Sequence, residues 1–174
     1  MRPGKLKIFL PLFLALFWIT PNLFADKKRN PTDTVNISGL AFGAGFSEIM
    51  FKNYIVPQFE IIYFSKYKLW LFSPMAGMMI NTQSGYYTFI GVSLPIWVAK
   101  GVLLRPAFCP GYYIFGESKN LGNPVEFRSG IELSFDIRKK VRLGFDFNHV
   151  SNAGFGSFNP GMETYSLFLV VPIH

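Results

Sequence analysis

The sequence predicts an all-β chain: an eight-stranded antiparallel transmembrane β-barrel of the outer-membrane type. Three observations carry that expectation. The chain is 50% hydrophobic and 18% aromatic, with only 16% charged residues, where about a quarter charged is usual for a soluble domain. Past residue 25, no run approaches the roughly 18 uncharged apolar residues that a membrane-crossing helix needs. Instead the apolar residues alternate with polar or small ones over segments of about ten residues, as they do in strands with one face on lipid and one on a narrow lumen.

The first segment reads as a secretory signal, residues 1–25. Arg2, Lys5 and Lys7 form its basic part and Ile8 to Thr20 its apolar core. Leu23-Phe24-Ala25 is the expected cleavage site, which leaves Asp26 first. An uncleaved anchor helix is the alternative. Pro11 and the short apolar core argue against it, and no cysteine near the site offers a lipid anchor. Residues 26–36 are polar, with Lys27-Lys28-Arg29 and Pro31, and are expected to form a periplasmic N-terminal arm ahead of a barrel at 37–174.

Eight strand-like segments follow, with no helical period and no domain linker. They are expected at 37–47, 54–64, 67–80, 85–98, 101–115, 125–138, 140–151 and 163–173. Ser65-Lys66, Ala99-Lys100 and Lys139-Lys140 mark tight turns. The joins near 48–53, 81–84, 116–124 and 152–162 are richer in Gly, Asn, Ser and Pro and mostly longer. Short turns on one rim and longer loops on the other is the outer-membrane arrangement, periplasmic and extracellular respectively.

Alternation is clearest in the sixth and seventh segments. Val125, Phe127, Ser129, Ile131, Leu133, Phe135 and Ile137 share one face; Glu126, Arg128, Gly130, Glu132, Ser134, Asp136 and Arg138 share the other. Periodicity alone does not say which face is outside. A secreted lipocalin-like barrel would turn the apolar face inward around a ligand. Two details favour the membrane barrel: the polar face holds many small residues, suited to a narrow lumen, and its charges are of mixed sign and able to pair. The first strand also lacks the Gly-x-Trp of lipocalins. The chain ends Val171-Pro172-Ile173-His174, without the terminal aromatic of many outer-membrane barrels.

Several function classes are excluded. The formal charge of +7 includes the three basic residues of the signal. The 14 remaining Lys and Arg against 10 Asp and Glu give a mature charge of +4, too mild and scattered for a nucleic-acid surface. Cys109 is alone and cannot pair within the chain. There is no Gly-x-Ser-x-Gly elbow, no phosphate-binding glycine loop and no Cys/His metal cluster. Gly43-Ala44-Gly45 is not followed by a third glycine, and His174 is terminal. No metal or organic cofactor is implied.

The chemistry concentrates near the C-terminus. His149 and Ser151 lie two apart on a strand, so they share a face about 7 Å apart. Glu163 begins the next strand and returns toward them if the two pair as a hairpin. Serine, histidine and carboxylate are the parts of a nucleophilic triad. The register continues Val141, Leu143, Phe145 and Phe147 into His149 and Ser151, and Tyr165, Leu167, Leu169, Val171 and Ile173 back into Glu163. All three groups are therefore expected to face lipid at the long-loop rim, with Ser151 opposite Glu163 and His149 diagonal to it.

His149, Ser151-Asn152-Ala153-Gly154, Asn159 and Glu163 together resemble the motif of the PagL family of lipid A 3-O-deacylases, over roughly the last 30 residues. The resemblance implies an outer-membrane esterase that removes the 3-hydroxyacyl chain at position 3 of lipid A, within lipopolysaccharide. Ser151 would be its nucleophile, His149 its base and Glu163 the orienting carboxylate. The backbone N–H of Gly154 and the side chain of Asn159 would form the oxyanion hole. It also implies a site open to the outer leaflet, with lipid A as the partner. The alternative is a non-catalytic small barrel with a binding or envelope-structural role.

Overall fold

A computed structural model describes residues 38–47, 55–138 and 141–173. The expected signal (1–25), arm (26–36), loop 48–53, turn Lys139-Lys140 and terminal His174 lie outside these residues. Among the described residues there are nine strand segments: β1 (Ser38–Ser47), β2 (Val56–Phe64), β3 (Ser73–Asn81), β4 (Tyr86–Ser93), β5 (Ile96–Ala99), β6 (Val102–Ile114), β7 (Val125–Arg138), β8 (Val141–Ser151) and β9 (Met162–Ile173). Each pairs antiparallel with its neighbours, and β1 pairs with β9 across the seam. With β4 also paired to β6, the sheet closes on itself.

Nine segments make eight staves. The single strand expected at 85–98 is interrupted at Leu94-Pro95 into β4 and β5, both of which pair with β6. Proline has no N–H to give the ladder, whereas Leu94 still donates to the Pro106 carbonyl at 2.9 Å. The stave bends there without leaving its register.

Two expected turns are corrected. Ser65-Lys66 is not a tight turn between long strands. The chain leaves β2 at Ser65, whose hydroxyl accepts the Tyr67 N–H at 3.1 Å. It then runs out to Trp70, at φ +61°, and returns through the Leu69–Phe72 bridge before β3 begins at Ser73. Tyr67, Leu69, Trp70 and Leu71 stay exposed. The join at 82–85, by contrast, is short, because Asn81 Oδ1 accepts from the N–H groups of Gln83 and Gly85 and folds the turn on itself. The contrast in loop length between the rims is thus weaker than the sequence suggested. It rests on two ten-residue loops, 115–124 and 152–161.

The polar face is inside, which excludes the lipocalin-like arrangement. Gln58, Glu60, Arg105, Arg128, Glu132, Arg142, Asp146 and Asn148 are all buried, while Phe42, Phe59, Ile90, Phe145 and Leu167 stand exposed. The expected pairing of opposite charges is present. Arg105 binds Glu132 at 2.8 Å, and Arg128 lies between Glu60 at 3.0 Å and Asp146 at 2.9 Å. Both guanidiniums also cover aromatic faces, Arg105 that of Phe64 and Arg128 that of Phe89. Buried charges without partners would be strongly destabilising, and this network offsets that cost. The small residues follow from the same crowding. A Cβ on Gly144 would meet the Phe168 ring at 2.6 Å and the Ser134 Cβ at 2.7 Å.

Candidate functional site

The alternation of β8 places its side chains without ambiguity. Arg142, Asp146, Asn148 and Val150 are buried toward the lumen, while Leu143, Phe145 and Phe147 are exposed on the outer wall. His149 and Ser151 continue that outer row. On β9, Thr164, Ser166, Phe168 and Val170 are buried, and Tyr165, Leu167 and Leu169 are exposed, so Glu163 also belongs to the outer face.

The two strands bring His149 and Glu163 together. His149 pairs directly with Glu163, and Nδ1 of the ring lies 3.2 Å from Glu163 Oε1. The Glu163 side chain is 15% exposed and that of His149 36% exposed. The pair is thus half-sheltered on the barrel wall. With Nδ1 engaged, Nε2 is the nitrogen left for a substrate-side proton. The register differs from expectation by one same-face step: Ser151 does not oppose Glu163. Gly161, at φ +65°, ends β9 at Met162, so the last pair of β8 and β9 is Val150 with Met162. Ser151 projects one position past that pair, and its cross-strand partner is Phe127 on the other side, on β7.

Ser151 therefore sits between two apolar strips. On one side Phe127 stacks on Phe108 with ring centroids 5.9 Å apart and tilts against Phe155, also at 5.9 Å. On the other, Phe147 meets Tyr165 edge-on at 6.3 Å. The sequence reading did not single out the Phe127 strip. Phe127 was legible as an outward residue of β7, but its pairing with Ser151 depends on the hairpin register.

The loop after Ser151 is held by Asn152, a motif residue to which the sequence assigned no catalytic role. Asn152 is fully buried. Its amide nitrogen donates to the carbonyls of Leu121 at 2.7 Å and Phe158 at 2.8 Å, tying loop 152–161 to loop 115–124. Its side-chain oxygen accepts the N–H of Gly154 at 2.9 Å. Ala153 at φ +53° and Gly154 at φ +88° make a tight left-handed turn, closed by Phe155 N–H on the Asn152 carbonyl at 2.9 Å. The Gly154 N–H is thus engaged within the loop. Asn159 is exposed, and its Oδ1 accepts the Asn152 N–H at 3.2 Å. That bond fixes the amide's orientation and leaves Nδ2, a two-proton donor, free of this contact.

Comparison with known proteins bears on both fold and site. A family model described as lipid A 3-O-deacylase (PagL) matches residues 53–172. No curated protein matches the sequence. Among solved structures, the chain is similar to one described as "Crystal structure of the outer membrane enzyme PagL". It is 16% identical to that protein with a TM-score of 0.61, over 78% of this chain and 99% of the other. It is also similar to one described as "De novo design of transmembrane beta-barrels", at 8% identity and a TM-score of 0.59, over 79% of this chain and 96% of the other. At these identities the structural likeness speaks for the fold.

Proposed function

Because the chain belongs to the lipid A 3-O-deacylase (PagL) family, we propose that it is an outer-membrane esterase that hydrolyses the acyl ester at position 3 of lipid A. The observation that carries this reading is the His149–Glu163 pair at 3.2 Å on the lipid-facing wall, with Ser151 beside it on the same face. Polar groups on a lipid-facing surface are costly, and a working site accounts for them.

In the proposed reaction Ser151 Oγ attacks the ester carbonyl while His149 Nε2 takes its proton. Glu163, on Nδ1, orients the ring and stabilises the imidazolium that forms. The tetrahedral intermediate collapses as His149 returns the proton to the departing sugar oxygen. Water, activated by the same histidine, then releases the 3-hydroxy fatty acid from Ser151. The Nδ2 group of Asn159 is the oxyanion donor the loop geometry favours. The Gly154 N–H would join it only by leaving Asn152 Oδ1. In this reading residues 1–25 are a cleaved signal, and the long-loop rim faces the outer leaflet, where lipid A enters sideways.

The test is mass spectrometry of lipid A from Gram-negative cells with and without the protein. Loss of one 3-hydroxyacyl mass, absent with Ser151→Ala, is the expected result. Unchanged lipid A with a folded barrel in the outer membrane would refute the reading.

A further inference from the structure

The ring of His149 is bounded on more sides than the triad accounts for. Glu163 faces it from β9, and Ser129 is its direct partner on β7. The third boundary is Gly161, a buried residue of the loop that closes back onto β9. A Cβ placed on Gly161 would lie 2.7 Å from His149 Cε1, 3.3 Å from Nε2 and 3.7 Å from Nδ1. The backbone of Gly161 therefore lies against the ring edge that joins the two nitrogens. Gly161 also adopts φ +65°, a left-handed conformation that glycine reaches without steric cost.

We propose that Gly161 is a positioning residue for the catalytic base: its bare backbone gives the imidazole its place between Glu163 and the substrate. The proposal rests on the reading of His149 as the base. Its content is that the missing Cβ matters for the ring rather than for the loop. The only atoms a Cβ would crowd are those of a side chain, which can swing away while the barrel stays intact. An added methyl would have to displace the ring by several tenths of an ångström at least, since ordinary carbon contacts lie beyond 3.4 Å. Displacement on the scale of 1 Å at a reacting group lowers turnover by about 10²-fold.

Two variants separate the ring contact from the backbone conformation. Gly161→Ala adds a Cβ and disfavours the left-handed φ. Gly161→Asn adds the same Cβ but tolerates that φ. Each is folded into detergent micelles, checked by heat-modifiable gel migration, and assayed on lipid A beside wild type and Ser151→Ala. The expected result is a loss of kcat of about 100-fold in both glycine variants, with KM unchanged. The chain has two histidines, so spectra of protein labelled with 13C-histidine contain two Cε1–H signals, and removal of His174 assigns them. The His149 signal should move in both variants. Recovery of kcat in Gly161→Asn relative to Gly161→Ala would overturn the proposal, because backbone strain would then be the cause. So would wild-type kcat and an unmoved His149 signal in Gly161→Ala while Ser151→Ala is inactive; the site reading would survive that outcome. An active Ser151→Ala would bring down both.

Discussion

Truncating Phe127 is expected to weaken turnover of long-chain esters and to leave short ones nearly untouched. Phe127 pairs directly with Ser151 across β7 and β8, which places their Cβ atoms about 5 Å apart. Phe147 is on the same strand as Ser151 but four residues away, roughly 13 Å along the wall. An acyl chain attached at Ser151 therefore meets the Phe127 strip with its first methylenes and Phe147 only with its far end. Full burial of a methylene contributes about 0.8 kcal/mol; a wall covers a chain from one side, so about 0.4 kcal/mol per methylene is the working value. That is roughly a doubling of kcat/KM for each added carbon. The Phe127 ring spans about three methylenes, so its loss costs about 1.2 kcal/mol, or roughly eightfold. The assay is kcat/KM for a series of p-nitrophenyl esters from acetyl to dodecanoyl in mixed micelles, for wild type, Phe127→Ala and Phe147→Ala. Phe127→Ala should match wild type for acetyl, fall behind once the chain has a few methylenes and keep that deficit at longer lengths, whereas Phe147→Ala should depart only at the longest. A flat wild-type series, or an equal loss at every length, would refute docking along the wall and point to a site enclosed by the loops.

Three further outcomes are expected. Ser151→Ala and His149→Ala abolish deacylation without disturbing heat-modifiable migration, and Glu163→Ala loses most activity but less than the nucleophile variant; this is read by lipid A turnover. Asn159→Ala lowers kcat by roughly 10²–10³-fold, the usual cost of one oxyanion donor, and a value within a few-fold of wild type would return it to an ordinary loop residue. Glu126 is fully buried and neither carboxylate oxygen has a hydrogen-bond partner among the described residues, so Glu126→Met, apolar and of similar volume, should stabilise the barrel by about 1–3 kcal/mol, measured as a raised urea midpoint.

Much of this architecture was legible because a lipid-facing strand has a strict period of two. The two faces of β8 and β9 follow from alternation, and with the apolar face outside they carry His149, Ser151 and Glu163 to the outer wall. The misreadings have local causes. Tyr67 to Phe72 is apolar enough to pass for strand, yet Trp70 turns left-handed there. Pro95 breaks a segment whose hydrophobicity runs on. Ser151 was set opposite Glu163 because the sequence does not give the hairpin register, which pairs His149 with Glu163. Asn152 and Gly161 were out of reach for a different reason: their roles depend on Leu121, Phe158 and the His149 ring, contacts made only once loops distant in sequence have folded together.

The ion pairs of Arg128 span the lumen from β2 to β8, and Arg105 and Glu132 add a further buried pair; the interior of an eight-stranded barrel is only wide enough for side chains to fill. A filled barrel has no through-route for fatty acid, sugar or ion. On the proposed reading, substrate and apolar product exchange with the wall by diffusion within the leaflet. Encounter becomes a two-dimensional process, governed by the mole fraction of lipid A among its neighbours rather than by its amount per volume. The surrounding membrane, through its composition and fluidity, acts as the concentration term in the rate law.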